Sequence, residues 1–231
     1  MKQFHKENAY GISMEYNEQL VKEVTRRVME AIQKAENTST PATVNSSFSG
    51  KRLKITENGD APKGVTPSEV VIGLGASFSK DMFETMSGVS HYDLIREIAA
   101  GVEEEGMTPR FIRVYHTSDV AFIALTAAKY SGSGIGVGIQ SKGTTTIHQK
   151  DLFPLTNLEL FPQAPLITLE IYRKIGKNAA RYAKGQTPEP ITVMNDCMVR
   201  PKFQAKAALL HIKETENVVD KKPPVALNIE F

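Results

Sequence analysis

The stretch SGSGIGVGIQSKGTTTIH, Ser131 to His148, decides how the chain is read. Gly132, Gly134, Gly136 and Gly138 recur at every second position. In a strand they share one face and leave Ser133, Ile135, Val137 and Ile139 on the other. A bare backbone face marks close approach by another backbone or by a ligand, so a helix seated on it and a ligand against it are both open readings. Two phosphate-binding patterns fail here. A G-x-G-x-x-G fingerprint counted from Gly132, Gly134 or Gly136 meets Val137, Ile139 or Ser141 where its last glycine is required. A P-loop counted from Gly138 finds Gly143 in place but Thr144 where lysine is needed. What remains is a strand that turns at Ser141-Lys142-Gly143. It presents one cation and several hydroxyls at its carboxyl end, where open α/β sheets collect ligands.

Working outward, Glu69 to Gly75 (EVVIGLG) is a short β-branched run suited to a buried strand. HYDLIREIAAGVEEEG then places Leu94, Ile95, Ile98, Ala99 and Val102 on one helical face and closes at Gly106. RFIRVY, Arg110 to Tyr115, is the next strand, and Asp119 is suited to cap the helix DVAFIALTAAKY. The alternation of strands and helices predicts an α/β fold, Rossmann-like in the loose sense, with a mostly parallel sheet and flanking helices. Downstream, Pro154, Pro162 and Pro165 break up the segment LTNLELFPQAPL, and a helix is expected over Leu166 to Ala183 with a basic end. AALLHI, 207 to 212, reads as a last strand, and the tail from Glu214 as an extended arm.

Upstream, Leu20, Val21, Val24, Val28, Ala31, Ile32 and Ala35 recur at helical spacing and predict an amphipathic helix over 14–35. Residues 37–67 are rich in Ser, Thr, Asn, Gly and Pro and read as a flexible linker. Three regions are therefore expected: an extension at 1–36 with a docking helix, the linker at 37–67, and a globular domain at 68–231. A short helix on a tether needs a surface to bury its stripe on, either its own globular body or a partner.

Net charge is only +2, which argues against a protein that neutralises many phosphates of a nucleic acid. No apolar run approaches a membrane span and no apolar leader opens the chain, so neither membrane insertion nor export is expected. The single cysteine, Cys197, fits a reducing cytosol and reads as a buried or inert thiol. His5, His91, His116, His148 and His211 are scattered without metal-site spacing, so no metal ligands are assigned; His148 and His211 read as satisfied structural residues. Glu103-Glu104-Glu105 reads as a solvated face or a partner contact. No self-sufficient catalytic constellation is visible.

The wording of the chain adds an identification. SGSGIGVGIQSKGTT, LTNLELFPQAP (155–165), GKNAARYAK (176–184) and RPKFQAKAALLHIKET (200–215) closely resemble the medium (β) subunit of adenosylcobalamin-dependent diol and glycerol dehydratases, over residues 68 to 215. The resemblance implies a cofactor-binding, non-catalytic subunit of a carbon–oxygen lyase. It would have a Rossmann-like domain holding adenosylcobalamin base-on against a catalytic large subunit and no activity alone. The chain lacks the Asp-x-His-x-x-Gly pattern of cobalamin proteins that displace the benzimidazole, in keeping with base-on binding. Carried onto matching positions, Asp119, Lys142, Asn157, Pro162 and Arg200 would contact the coenzyme. Each also has a structural reading: a helix cap for Asp119, a turn for Asn157, an interface ion pair for Arg200. Phe203 stands where tyrosine is also common in the family. The implied partners are the large and small subunits in a dimer of heterotrimers and a reactivating factor. Shell proteins of a cytoplasmic bacterial microcompartment would meet the 14–35 helix. The neighbouring readings are a glycerol dehydratase medium subunit and the small subunit of the reactivating chaperone.

Overall fold

The computed structural model describes residues 50–192 and 196–231, together with Arg26. The helix expected over 14–35 lies outside the described residues, Arg26 apart, as does the first part of the expected linker. In chain order the elements are β1 (Lys54–Asp60), β2 (Glu69–Leu74), α1 (His91–Glu104), β3 (Thr108–Arg113), α2 (Val120–Tyr130), β4 (Ile135–Ile139) and β5 (Thr145–Gln149). There follow β6 (Glu159–Phe161), α3 (Leu169–Ala183), α4 (Val199–Glu216) and β7 (Val225–Glu230).

All seven strands form one sheet in the order β1-β7-β3-β2-β4-β5-β6. The class is α/β, as expected, but the sheet is mixed. Only the central pairs β2–β3 and β2–β4 are parallel. The β4–β5 and β5–β6 pairs on one side, and β3–β7 and β7–β1 on the other, are antiparallel. The mostly parallel expectation therefore holds only at the centre, where two helical crossovers connect the strands. Elsewhere the chain returns through the 140–144 turn and by strands added at the edges.

Alternation along β2 and β4 sorts two apolar layers. Val70, Ile72 and Leu74, with Ile135, Val137 and Ile139, face a core shared with α1 and α3. On the opposite face Val71 and Ile112 meet Ile123 and Ala127 of α2. The bare face of β4 turns out to be a helix seat. A Cβ at Gly136 would lie 2.2 Å from the Ala128 nitrogen, and one at Gly138 would lie 2.5 Å from the Ala124 nitrogen. The strand is shorter than the glycine repeat. Gly134 has φ +79 and belongs to the turn before it.

Three further expectations are corrected. The polar stretch read as a linker contains β1, an edge strand paired with β7 from Lys54↔Glu230 to Asp60↔Val225. AALLHI lies inside α4 and is not a strand. The tail beyond Glu214 finishes α4 and then enters the sheet as β7, so it is no free arm. ITVMNDCMVRPKFQ, left unassigned, leads into α4, with 193–195 outside the described residues. The acidic run at the end of α1 is partly paired within the chain: Glu104 with Lys177, and Glu105 with Arg181 and Lys184, along α3, while Glu103 is exposed.

Candidate ligand-binding site

The parallel strands β2 and β4 end side by side, Gly75 N–H donating to Ile139 O at 2.9 Å. Beyond Ile139 the chain turns through residues 140–144 into β5. Gly143 makes that turn possible with φ +104, its N–H bonded to Gln140 O at 2.8 Å. The fully buried Tyr172 pins the turn from below, its hydroxyl donating to Gly143 O at 2.9 Å. Lys142 is thus held half-buried at the tip of a rigid hairpin.

Around it opens a groove of about 510 Å³, lined by Ser118, Asp119 and Val120 at the start of α2, by Gln140, Lys142 and Thr144 of the turn, by Leu160 and Pro162 at β6, and by His211 of α4. Asp119 also fills its capping role: its Oδ1 accepts from Ala121 N at 2.8 Å and Phe122 N at 3.3 Å. Gln140 is anchored by donating from Nε2 to Ser118 O at 2.6 Å. Burial holds the Lys142 ammonium below its usual pKa, against the opposing pull of the Glu214 and Asp119 carboxylates. The combination is a half-buried cation beside a polar groove, suited to amide oxygens or a phosphate ester.

The loops beneath the groove are fixed by two buried residues. Arg113, 2% exposed, donates from Nη1 to Phe78 O at 2.8 Å and Gly75 O at 3.2 Å, while its Nε pairs with Glu57 of β1 at 2.9 Å. His91 stacks on Phe78 with centroids 3.7 Å apart. Its Nδ1 lies 3.1 Å from the Ser79 N–H, which donates to it, and its Nε2 lies 2.8 Å from Ser141 O. That pattern is a neutral ring protonated at Nε2, and burial pushes its pKa down to about 3.

Of the five residues expected at the site, the fold brings Asp119, Lys142 and Pro162 to one groove. Asn157 and Arg200 do not line it. Asn157 lies in the β5–β6 loop, where its Oδ1 is buried and has no hydrogen-bond partner. Arg200 is exposed on the first turn of α4. Sequence reading missed Gln140, Thr144 and His211. His211 had been read as a structural residue of a strand; it stands exposed on a helix and lines the groove, and no sequence signal places it there, because that helix buries only Val199 and Glu214 and so carries no apolar stripe. His148 is buried as expected, with Nδ1 2.7 Å from Gln149 O and Nε2 3.2 Å from Pro154 O. Phe203 packs half-buried on the main core. Cys197 is exposed rather than buried. Among the described residues no helix is long and apolar enough to cross a membrane, and no group of three or more acidic, His or Cys side chains is placed to hold a metal ion.

Comparison with known proteins gives one family: the model described as dehydratase medium subunit matches residues 77–189, from the loop after β2 to just beyond α3. Two solved structures align with part of the chain. One is described as glycerol dehydratase reactivase, at 19% identity and TM-score 0.43, covering 54% of this chain and 98% of that one. The other is a chain of a diol dehydratase-reactivating factor complexed with ADP and Mg2+, at 22% identity and TM-score 0.41, covering 54% of this chain and 99% of that one.

Proposed function

Because residues 77–189 match the dehydratase medium subunit family model, we propose that this chain is the subunit that holds adenosylcobalamin base-on against a catalytic large subunit, in the dehydration of 1,2-diols to aldehydes. The observation that carries the reading is the half-buried Lys142 at the tip of the β4–β5 turn, opening on a groove with Asp119, Gln140, Thr144 and Pro162. When bound, the coenzyme supplies the radical that starts the reaction; this chain supplies the seat.

The residues present suit such a ligand. Cobalamin is rimmed with amides and carries one phosphodiester, and the groove offers a cation and hydroxyls around its turn. The buried, unpartnered Oδ1 of Asn157 is an acceptor for an amide N–H nearby. Arg200, exposed at the start of α4, is assigned to the outer part of the same ligand. Residues 68–231 would form the coenzyme domain, with β1 now added to it. The working assembly would be a dimer of heterotrimers with the large and small subunits, serviced by a reactivating factor. Its place would be a cytoplasmic bacterial microcompartment, reached through the helix over 14–35.

The test is a titration of the assembled enzyme with adenosylcobalamin. A charge-assisted hydrogen bond lost in Lys142→Ala is worth roughly 1.5–3 kcal/mol, so affinity should fall about tenfold to a hundredfold. Turnover at saturating coenzyme should change much less, because the chemistry belongs to another subunit. Wild-type affinity in the variant would remove Lys142 from the site and the reading with it.

A further inference from the structure

One carboxylate in the fold is neither paired with a cation at hydrogen-bond distance nor left in water. Glu214 is 2% exposed, on the last turn of α4. Its Oε2 accepts from the backbone N–H of Ser141 at 3.0 Å, just past β4, and its Oε1 from that of Ser77 at 3.4 Å, just past β2. The loop after β2 is shaped for this. Arg113 draws the carbonyls of Gly75 and Phe78 inward, leaving the Ser77 N–H turned to the carboxylate. Gly75 is bare where the carboxylate rests: a Cβ there would lie 2.0 Å from Oε1. Ser141 adds a fully buried hydroxyl with no hydrogen-bond partner. Backbone N–H groups converging at the ends of two parallel strands are the usual makings of an anion site in α/β folds.

We propose that the carboxyl ends of β2 and β4 form a backbone oxyanion site whose resident ligand is the chain's own Glu214 carboxylate, and that this internal ligand seats α4, and with it His211, over the groove. The inference stands whether or not the groove takes cobalamin. It explains how α4 is held although Val199 and Glu214 are its only buried residues. Ser77 strengthens the latch by donating from its hydroxyl to Lys213 O at 2.8 Å. It also accounts for a site of this shape that offers no vacancy to a nucleotide phosphate: the oxyanion position is filled from within.

Chemical rescue in the full-length chain tests it, with acetate as the probe and chloride at equal ionic strength as the control. In Glu214→Ala, amide hydrogen exchange of peptides covering 139–146 and 199–216 should accelerate about tenfold to a hundredfold, the worth of a hydrogen bond to a charged group. Millimolar acetate should slow it again, and acetate should do nothing to the wild type or to Glu214→Gln, whose amide fills the space. Gly75→Ala, which expels the carboxylate without altering it, should reproduce the fast exchange of α4. Exchange unchanged in Glu214→Ala, or an acetate effect no larger than that of chloride, overturns the proposal. Should Glu214→Ala not fold, unchanged exchange of α4 in Gly75→Ala overturns it equally.

Discussion

At the scale of single residues, His91 is expected to make the fold sensitive to acid. Its neutral ring joins Ser79 to Ser141 O and thereby ties the loop after β2 to the turn after β4. The folded-state pKa of about 3 lies below the ordinary 6.5, so between those values the unfolded chain binds the extra proton. The stability contributed is complete above pH 6.5 and is lost as pH falls toward 3, at up to about 1.4 kcal/mol per pH unit. Denaturant midpoints taken from pH 7 to pH 5 should therefore fall. In His91→Gln the slope over that range should flatten, and a variant retaining the wild-type slope would assign it to another group. This residue was not legible in the sequence, because nothing in HYDLIRE says that an imidazole will reach loops 12 and 50 residues away. The places of Asp119 and Lys142 beside the groove were legible for the opposite reason, one as a helix cap and the other in a turn at a strand end, whereas Pro162 entered only through the family resemblance. Gln140 and Thr144 sat in the quoted stretch, but which side chains of a turn face a groove depends on elements far along the chain.

Among the elements, the closest approach is between α1 and α3, where two glycines face opposite backbones. A Cβ at Gly101 would lie 2.1 Å from Arg173 O, and one at Gly176 would lie 2.2 Å from Ile98 O. Ion pairs run along the same crossing, Arg173 with Glu97 and Lys177 with Glu104. Packing decides the stability of this contact, because the partners of these pairs are partly exposed and screened while a backbone clash forces the helices apart. Gly176→Ala should cost about 1–3 kcal/mol, or more if the helices cannot separate. Lys177→Ala should shift the denaturant midpoint far less, and the reverse ranking would mean that charge holds the helices together. Both glycines lie in helices that the sequence predicted, yet the contact itself was hidden, since a glycine within a helical pattern does not name its neighbour. Of the three elements misread, β1, α4 and β7, the first two have little burial. β1 is an edge strand with a polar face, so it looks like a linker, although its Glu57 is what neutralises the buried Arg113. α4 buries too little to impose a stripe, and a short apolar run such as AALLHI cannot be told from a strand by periodicity.

For the whole molecule, the proposed role as a dehydratase medium subunit implies companion subunits, and the exposed apolar side chains of Leu209 and Ile212 on α4 and Phe153 and Leu155 in the β5–β6 loop are surface that such companions would cover. The proposed docking helix of the N-terminal extension calls for a different kind of partner. Read as a helix, the stripe of Leu20, Val21, Val24, Val28, Ala31 and Ile32 would be too short to be stable alone in water and would need a surface to bury its apolar face on. Under that proposal two surfaces compete for it: the chain's own globular body, or the wall of the proposed compartment. The linker composition before β1 favours the second, because Ser, Thr and Asn over a dozen positions add reach at little entropic cost and specify no return path. Residues 1–36 fused to a fluorescent reporter should therefore gather into foci in cells that assemble the matching shells and stay diffuse in cells that do not. Replacing Val24 and Val28 with Asp breaks the stripe while leaving length and tether alone, and should return the reporter to the diffuse state. A reporter that stays diffuse in shell-forming cells would count for the first surface, and the full chain would then be expected to lose thermal stability when residues 1–36 are removed. A compartment signal, by contrast, can be deleted without moving the melting temperature of the domain that begins at β1.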